Sequence, residues 1–337
     1  MKLKRFEGNP ILSPNPANDW ESLVSTNPGA WYDDATGEVC LLYRTAGDDD
    51  EHRTYFGLAK SKDGYHFDRL FTDPVFGPST DGFDAGCVED PRVIKMGDWF
   101  YITYASRPYP PGKYWLYDKR KYKSPIFPDE FPSLLRNNHT VTGLAITRDF
   151  KSFIRAGRLT NASVDNRDVI LFPEKINGKY YMLHRPMDWV GKEYGTEFPA
   201  IWISSSDDLL CFPDGKILAK AKYPWEKKIG GNTPPIRTEA GWLTIYHAVG
   251  PDKYYRLGAL LLDLNDPSIV LHRTPDWLLQ PEKDYEINGF YKGVVFPCGK
   301  VVIGDTLFVY YGGADKHVGV ATCSLKGLLD HLAKCPA

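Results

Sequence analysis

A repeated strand pattern is the feature that most constrains the fold of this chain of 337 residues. One kind of segment, a small residue and two apolar residues followed by a short turn, occurs five times. Corresponding positions in successive copies are separated by 86, 57, 58 and 61 residues. The copies are GLAKSKDGYHF (57–67), GLAITRDFKSF (143–153), AIWISSSDDLLCF (200–212), GALLLDLNDPSIV (258–270) and GVATCSLKGLL (319–329). A period of roughly 40–60 residues with several strands per unit is typical of a β-propeller, whose blades cover each other's faces.

Two further elements precede each copy and complete the unit. The nearer element is an aromatic-rich strand, which occurs as VCLLYRT (39–45), WFYITYA (99–105), YYMLHRP (180–186), WLTIYHA (242–248) and LFVYYGG (307–313). The more distant element contains proline, and it occurs as STNPGAW, VEDPRVI, ILFPEKI, NTPPIRT and VVFPCGK. Turns such as INGKY and MGDWF often join the two elements, as in β-hairpins. The sequence therefore predicts an all-β chain that forms a single five-bladed β-propeller domain over residues 1–337.

The long first gap between repeats predicts an insertion in the second blade, at about residues 107–140. This stretch is rich in proline, lysine and aromatic residues, which is poor material for a strand. It is either a surface excursion or a loop over the axial pocket, and its aromatic residues favour the loop over the pocket. The C-terminal segment LKGLLDHLAKC has the periodicity of a short amphipathic helix.

Composition and charge argue against several classes of protein. The chain is 42% hydrophobic and 25% charged with a formal net charge of −2, so nothing favours nucleic acid or another polyanion as a partner. The N-terminal sequence MKLKRFEGNPIL lacks the apolar core of a signal peptide, and no run approaches the roughly 18 apolar residues of a membrane span. We therefore expect a soluble, cytoplasmic protein without a membrane partner, for which association into homo-oligomers stays open.

The cysteines carry no sign of a metal site. Six of them, at positions 40, 87, 211, 298, 323 and 335, are scattered without a CxxC pair or a Cys/His cluster. In a chain of this length the pattern favours reduced, mostly buried thiols. Because no spacing typical of metal ligands is present, the sequence predicts neither a metal ion nor an organic cofactor.

Equivalent positions of the repeats should meet at the propeller axis, where the innermost strands converge on a central channel. Aligned by their prolines, the proline-containing elements contribute Asn27, Asp90, Phe172, Pro234 and Phe296. The middle strands end near Arg44, Ser106 or Arg107, Arg185, His247 and Asp315. Taken singly, an Asp-Pro step is most often a turn, and Arg185 or His247 is more often a structural polar residue than a catalytic one. Their recurrence at the same strand end favours a functional site.

The charges expected at the axis indicate the chemistry. The candidate acids are Glu89, Asp90 and Asp315, and the candidate bases are Arg44, Arg167, Arg185, Lys228 and His247. A hydrolytic glycosidase normally needs two carboxylates, one as the acid and one as the base or nucleophile. A surplus of guanidinium and ammonium groups suits an anion instead, and arginine matches phosphate oxygens especially well. A single acid facing a basic cluster therefore favours phosphorolysis, in which phosphate is the nucleophile.

Several motifs resemble glycoside hydrolase family 130, the β-mannoside phosphorylases and β-mannosidases built on a five-bladed propeller. The resemblance spans nearly the whole chain, and the motifs are specific only when taken together. They are GNPIL (8–12), EDPRV (89–93), NRDVILFPEKINGKYYMLHRP (166–186), KIGGNTPPIRTEAGWLTIYH (228–247), LGALLLDLNDP (257–267), VVFPCG (294–299) and YYGGADKHVGVA (310–321).

The resemblance implies a role for each site residue and an inverting reaction. It implies that Asp90 is the single catalytic acid, which protonates the glycosidic oxygen through the 3-hydroxyl of the mannosyl unit, while inorganic phosphate attacks C1 to give α-mannose 1-phosphate. The implied phosphate-binding residues are Arg167, Arg185, Lys228, His247 and Tyr255. The implied substrate-binding residues are Asn27, Arg44, Glu89 and Asp315. The partners are thus an oligosaccharide and phosphate.

Three alternatives stay open at this point. One is a hydrolytic β-mannosidase of the same family, one is a non-catalytic carbohydrate-binding propeller, and a more distant one is a five-bladed glycosidase acting on arabinosides or fructosides. The chain also departs from the family pattern. Glu89 stands where some members have tyrosine, Asn232 interrupts a Gly/Ala-rich stretch, and Glu226 lies only two residues before Lys228, so that a shifted alignment places a carboxylate in the pocket.

Overall fold

The computed structural model describes residues 1–116 and 125–337, which form five antiparallel blades around one axis. The predicted five-bladed β-propeller is therefore confirmed. Each blade has four strands, except that the innermost strand of one blade is interrupted and counts as two. Among the described residues, no helix is both long and apolar enough to cross a membrane.

The strands are numbered in chain order. From β2 onward, each blade is built from strands that are consecutive in the chain, and the first of them is the innermost. The first strand, β1 (Lys4–Arg5), belongs to blade 5. Blade 1 contains β2 (Val24–Asp33), β3 (Glu38–Ala46), β4 (Thr54–Ser61) and β5 (Asp68–Arg69). Blade 2 contains β6 (Cys87–Met96), β7 (Trp99–Arg107), β8 (Val141–Thr147) and β9 (Phe153–Arg158). Blade 3 contains β10 (Asn166–Leu171), β11 (Tyr180–Pro186), β12 (Ile201–Ser206) and β13 (Lys216–Ala219).

The last two blades complete the ring. Blade 4 contains β14 (Lys228–Gly231), β15 (Ile236–Thr238), β16 (Gly241–Val249), β17 (Tyr255–Leu262) and β18 (Val270–Arg273). Blade 5 contains β19 (Val295–Ile303), β20 (Thr306–Gly313) and β21 (His317–Ser324), with β1 as its outer strand. Since the first strand of the chain pairs with the last, the two ends of the sequence meet in one blade and close the propeller.

Among residues 1–116 and 125–337, three α-helices and three single 3-10 turns lie outside the sheets. The helices are α1 (Ser133–Asn137), α2 (Asp284–Ile287) and α3 (Leu325–Leu332), and the 3-10 turns are Asp19–Glu21, Tyr114–Leu116 and Lys192–Tyr194. The predicted C-terminal helix is therefore confirmed as α3. The Ser324 hydroxyl accepts a hydrogen bond from the Gly327 amide at its start, and Leu328 and Leu332 are buried beneath it.

The innermost strands of blades 1, 2 and 3 each contain a bulge. At the bulge lie Asn27, Asp90 and Asp168, with φ angles of 44°, 51° and 53°. Asparagine and aspartate are the non-glycine residues that adopt this left-handed conformation most readily. A bulge reorients the side chain that it carries, so these three polar groups occupy equivalent positions around the axis.

The alignment by proline is wrong in blade 3. It predicted Phe172 as the counterpart of Asp90. In blade 2 the bulge begins after Glu89, which pairs with Ala105, and in blade 3 it begins after Arg167, which pairs with Arg185. The residue that follows Arg167 is Asp168, so Asp168 is the counterpart of Asp90. Phe172 is only 2% exposed and packs edge-on against Trp242. In blade 4, the predicted axial residue Pro234 lies in the interruption between β14 and β15.

A buried tyrosine–acid–arginine cluster recurs in every blade except blade 3. The middle strand provides the tyrosine, which packs on a glycine of the next strand. The tyrosine hydroxyl donates a hydrogen bond to a carboxylate, and an arginine of the outer strand pairs with the same carboxylate. The clusters are Tyr43–Glu21–Arg69, Tyr104–Asp84–Arg155, Tyr246–Glu226–Arg273 and Tyr311–Glu286–Arg5. The facing glycines are Gly57, Gly143, Gly258 and Gly319. In blade 3, His184 and Trp202 take the places of the tyrosine and the glycine. Because these acids are buried, the arginines are needed to compensate their charge.

The Arg5→Ala substitution is expected to lower the free energy of unfolding by about 2 kcal/mol, since it leaves the buried Glu286 carboxylate without its cation. Arg5 Nε lies 2.8 Å from Glu286 Oε1, and the Glu286 side chain is 0% exposed. This loss of unfolding free energy is smaller than the loss expected for a fully buried ion pair, because the Arg5 side chain is 16% exposed. Urea denaturation followed by circular dichroism measures it. Lys4→Ala in the same strand is the control, with an expected change within about 0.5 kcal/mol. Equal effects of both substitutions would contradict the role of the cluster in closing the ring.

Candidate active site

A pocket at one end of the propeller axis is lined by residues from all five blades. The lining residues are Asn27, Arg44, Glu89, Asp90, Ala105, Arg107, Tyr114, Thr140, Arg167, Asp168, Arg185, Tyr255, Tyr291, Val294, Phe296 and Asp315. Eight of the ten predicted site residues are among them, and the other two, Lys228 and His247, lie close by. The insertion contributes Arg107, Tyr114 and Thr140 to the lining, so three of its described residues lie at the pocket. Residues 117–124 of the insertion are outside the described residues.

Asp90 projects into the pocket from the bulge of β6. Its Oδ1 atom accepts hydrogen bonds from Asn27 Nδ2 at 2.8 Å and from Arg44 Nη1 at 3.1 Å. Both donors come from blade 1, so residues 63 and 46 positions away in sequence orient this carboxylate. These contacts fix one oxygen of Asp90 and define which face of the pocket the acid occupies.

Arg44 pairs with two carboxylates on this side of the pocket, Glu89 and Asp90, and acts electrostatically on a third, Asp315. Its Nη2 atom lies 2.9 Å from Glu89 Oε1, and the Arg44 guanidinium also influences Asp315 in the turn after β20. Burial raises the pKa of Asp315 to about 6, and the nearby Asp90 and Glu89 carboxylates add to this rise against the opposing effect of Arg44. The Asn27, Arg44, Glu89, Asp90 and Asp315 side chains therefore form a polar, hydrogen-bonding face, which we call the acidic side of the pocket.

The opposite face of the pocket, which we call the basic side, comes from blades 3 and 4. Arg167 and Arg185 face each other on β10 and β11, and Tyr255 begins β17. Arg167 is fixed by two hydrogen bonds to Asp165, from Nε to Oδ1 at 2.7 Å and from Nη2 to Oδ2 at 2.8 Å. Burial raises the pKa of Tyr255 to about 12, which keeps its hydroxyl protonated.

Lys228 lies behind these groups at the start of β14, with Nζ 5.8 Å from the centre of the Tyr255 ring. Burial lowers the pKa of Lys228 to about 7, and the Arg185 and Arg167 guanidinium groups lower it further. Three cationic groups held this close repel one another, and a bound anion would relieve that repulsion. The basic side is therefore suited to an anion such as phosphate.

His247 does not line the pocket. It is 0% exposed, and its ring stacks on Tyr255 with ring centres 5.4 Å apart. Burial holds the pKa of His247 well below its usual value, and the neighbouring Arg185, Lys228 and Arg92 cations lower it further. The imidazole is therefore neutral and lies behind Arg185 rather than beside a ligand.

Asp168 is a site residue that the sequence reasoning missed. It lines the pocket from the bulge of β10, with Oδ2 at 2.7 Å from Arg185 Nε and Oδ1 at 3.4 Å from Arg92 Nη2. Among the described residues, four carboxylates thus line the pocket, one more than the three candidate acids, Glu89, Asp90 and Asp315, that the sequence indicated. Alignment by distance from the arginine of the middle strand, instead of by proline, would have found Asp168.

Two departures from the family pattern have structural explanations. Glu226 lies outside the pocket, where both of its oxygens accept hydrogen bonds from Arg273 at 2.7 Å and one accepts from the Tyr246 hydroxyl at 2.6 Å. Asn232 is fully buried at the end of β14 and bridges His247 to the backbone of blade 5. Neither residue brings a carboxylate to the axis. Among the described residues, no group of three or more His, Cys, Asp or Glu side chains is placed to hold a metal ion.

A second, wider groove adjoins the pocket. Tyr255 and Tyr291 line both, and the groove extends from them over the loops of blades 4 and 5. Its other lining residues are Trp115, Val249, Asp252, Lys253, Tyr254, Asn288, Gly289, Phe290, Lys292 and Lys316. The Trp115 and Phe290 rings pack edge-on with centres 4.9 Å apart. Partly exposed aromatic rings next to a polar pocket offer apolar faces to a sugar chain.

Comparisons with known proteins agree with this geometry. A family profile described as beta-1,4-mannooligosaccharide phosphorylase matches residues 2–334. The chain is 38% identical to a 1,2-beta-oligomannan phosphorylase of Thermoanaerobacter sp. (strain X514), over 97% of this chain and 99% of that protein. It is 30% identical to a beta-1,4-mannooligosaccharide phosphorylase of Ruminococcus albus, over 97% and 90% of the two chains. Among solved structures, the beta-1,2-mannobiose phosphorylase of Listeria innocua with bound beta-1,2-mannobiose superposes with a TM-score of 0.78 at 30% identity, over 98% and 99% of the chains.

Proposed function

Because the chain belongs to glycoside hydrolase family 130, we propose that its axial pocket cleaves β-mannosides with inorganic phosphate and releases α-mannose 1-phosphate. The chain is an enzyme of the glycoside phosphorylase type. One observation carries the assignment of the site: the acid Asp90 of blade 2 and the arginines Arg167 and Arg185 of blade 3 line the same pocket. A proton donor on one face and an anion site on the other are what a phosphorolysis needs.

The reaction follows from this arrangement. Asp90 is the source of the proton that passes to the glycosidic oxygen as the bond between C1 and that oxygen breaks. A phosphate oxygen held on the basic side forms the new bond to C1 from the opposite face, which inverts the β configuration to α. Asn27 and Arg44 hold Asp90 in place, and Arg44 neutralises the Asp90 carboxylate that forms after proton transfer.

The other pocket carboxylates are poorly placed to serve as a base for water. Both Asp168 oxygens contact guanidinium groups, and Glu89 pairs with Arg44. Asp315 lies on the same side as Asp90, whereas an inverting hydrolase needs its base on the opposite face of the sugar. Direct hydrolysis of mannosides is therefore not favoured, in agreement with the phosphorylase relatives.

The adjoining groove supports a longer, β-1,2-linked substrate. A disaccharide needs only the axial pocket and its mouth, but the groove between Trp115 and Tyr254 offers further aromatic surface. The relative with 38% identity is named for β-1,2-oligomannan, compared with 30% for the relative named for a β-1,4-mannooligosaccharide. We therefore propose β-1,2-mannooligosaccharides as the substrate class, with the acceptor units in the groove.

Trp115→Ala is expected to raise the KM for mannotriose and longer chains by about tenfold, the loss expected from one aromatic contact. The KM for mannobiose should stay within about threefold of the wild-type value, since the disaccharide contacts the groove least. Phosphorolysis kinetics with substrates of two to five units measure both constants. Phe131→Ala is the matched control, because Phe131 lies in the same insertion but is not a groove residue. An equal rise for all chain lengths would contradict an acceptor role for the groove.

The proposed reaction is tested by incubating the protein with β-1,2- and β-1,4-mannobiose, each with and without inorganic phosphate. We expect mannose 1-phosphate only when phosphate is present, and faster turnover of the β-1,2-linked substrate. Release of free mannose at the same rate without phosphate would establish hydrolysis instead. Binding of the sugars without formation of any product would indicate a non-catalytic, carbohydrate-binding propeller.

A further inference from the structure

Five buried residues behind the basic side of the pocket form a closed ring of contacts, one of which is made through the backbone carbonyl of Asn232. Asp168 contacts Arg92, and Arg92 contacts the backbone of Asn232. The Asn232 side chain contacts His247, and His247 contacts Arg185. A contact between Arg185 and Asp168 closes the ring. None of the five is more than 5% exposed. They come from blades 2, 3 and 4, so the ring forms only when the propeller closes.

Asp168 contributes an anion to two cations at once. Its Oδ2 atom lies 2.7 Å from Arg185 Nε, and its Oδ1 atom lies 3.4 Å from Arg92 Nη2. This ion pair places the Asp168 carboxylate beside the Nε edge of the Arg185 guanidinium, without the geometry of a hydrogen bond between the Oδ2 and Nε atoms. A buried carboxylate in this position compensates the cations and restricts their rotation.

The contacts of Asn232 define the protonation of His247. Asn232 Nδ2 donates to the Pro297 carbonyl oxygen at 2.7 Å, so its amide oxygen faces His247 Nδ1 at 2.6 Å. Since this oxygen only accepts, Nδ1 must carry the proton. His247 Nε2 then has a lone pair, and it lies 3.4 Å from Arg185 Nη1, a group that only donates. The ring is consistent with a neutral imidazole that accepts from Arg185.

Arg92 connects the ring to the catalytic acid. Its Nη1 atom donates to the backbone carbonyl oxygen of Asp90 at 3.0 Å, and its Nε atom donates to the Asn232 carbonyl oxygen at 3.0 Å. The bulge that carries Asp90 and the arginine of the basic side are thus held by one network.

We propose that Asp168 and His247 are positioning residues for phosphate binding, in which a carboxylate and a neutral imidazole fix the Arg185 guanidinium from two sides and direct its remaining N–H groups at the anion. His247 thereby acts on phosphate through Arg185 and is not itself a cationic ligand. The inference rests on the proposed function, because it specifies how the anion side of that same pocket is built.

Asp168→Asn gives opposite results for a positioning role and for simple electrostatics. If Asp168 only adds negative charge near an anion site, its removal should lower the KM for phosphate. If it positions Arg185, the KM for phosphate should rise by about 10- to 100-fold, as expected for a misplaced binding group. The KM for the mannoside should change by less than about threefold, since the hydrogen bonds that Asn27 and Arg44 donate to the Asp90 carboxylate do not involve Asp168. Steady-state kinetics with phosphate and mannobiose varied separately measure both. A KM for phosphate that is unchanged or lower would overturn the proposal.

His247→Gln and His247→Leu form a matched pair. Glutamine can present an acceptor oxygen to Arg185, whereas leucine fills similar space without one. We expect the KM for phosphate to rise by about tenfold or more with leucine and to return most of the way to the wild-type value with glutamine. Equal losses with both variants would favour a cationic ligand and overturn the proposal. Thermal unfolding by circular dichroism checks that each variant is folded.

A measurement on the unaltered enzyme covers the case in which a variant fails to fold. In 15N spectra of histidine-labelled protein with saturating inorganic phosphate, His247 should show the neutral form with its proton on Nδ1. An imidazolium signal for His247 would overturn the proposal.

The two proposals fail in different ways. A wild-type enzyme that needs no phosphate would overturn the proposed function and this inference together. Phosphate-dependent turnover combined with an unchanged KM for phosphate in Asp168→Asn would overturn only the inference.

Discussion

Asp90→Asn is expected to lower kcat for phosphorolysis of mannobiose by about a thousandfold, within the range of a lost general acid. The amide keeps an oxygen that can accept from Asn27 and Arg44, so the pocket geometry should survive while the transferable proton is lost. The melting temperature should change little for the same reason. The rate of mannose 1-phosphate formation measures the effect.

Two comparisons make the Asp90 result specific. With β-mannosyl fluoride, whose leaving group needs no proton, the loss should be much smaller than with mannobiose. Asp98→Asn is the matched control, because Asp98 is an exposed residue in the turn after the same strand, between β6 and β7. A mannobiose kcat within about tenfold of the wild-type value would show that another group supplies the proton.

Arg185→Gln is expected to raise the KM for phosphate by about a hundredfold, which corresponds to about 2.7 kcal/mol for lost charge-assisted hydrogen bonds. The KM for the mannoside should stay close to the wild-type value because Arg185 lies on the basic side. Arg185→Lys should give an intermediate value, since lysine keeps the charge but not the planar fork of donors. Kinetics with phosphate as the varied substrate measure the series.

The control for Arg185 is Arg237→Gln, which removes an exposed arginine paired with Glu174 on the surface and should leave both constants unchanged. Arg185→Gln also leaves Asp168 with one cation fewer, so its melting temperature should be reported with its kinetics. If the substitution raised the KM for the mannoside and not that for phosphate, Arg185 would belong to the sugar site.

The sequence predicted the architecture well because repetition and alternation are local properties. Five copies of a three-strand unit were enough to predict five blades, and the long first gap placed the insertion in blade 2. The same repetition predicted that Asp90, Arg44 and Asn27 lie at the axis. This worked because the Asn-Pro step of blade 1 and the Asp-Pro step of blade 2 occupy equivalent bulges.

Prediction of the site failed where equivalence depends on strand pairing. The bulge of blade 3 contains no proline, so alignment by proline selected the core residue Phe172 instead of Asp168. His247 was correctly placed near the basic cluster, but only the structure shows Asn232 between it and blade 5. A contact between residues 62 positions apart, such as that of His247 with Arg185, leaves no local sequence signal.

By itself, the sequence determined the number of blades, the C-terminal helix α3 and most of the pocket residues. Hydrophobic periodicity and polar residues at strand ends are properties of short segments, so they can be recognised without the tertiary structure. The tertiary structure decided which charges are available for chemistry. Glu226 is neutralised by Arg273, Asp168 by Arg185 and Arg92, and these pairings arise only when strands far apart in the chain pack side by side. Burial then raises the pKa of Asp315 and lowers the pKa of His247, since the cost of a charge depends on the groups that surround it in space.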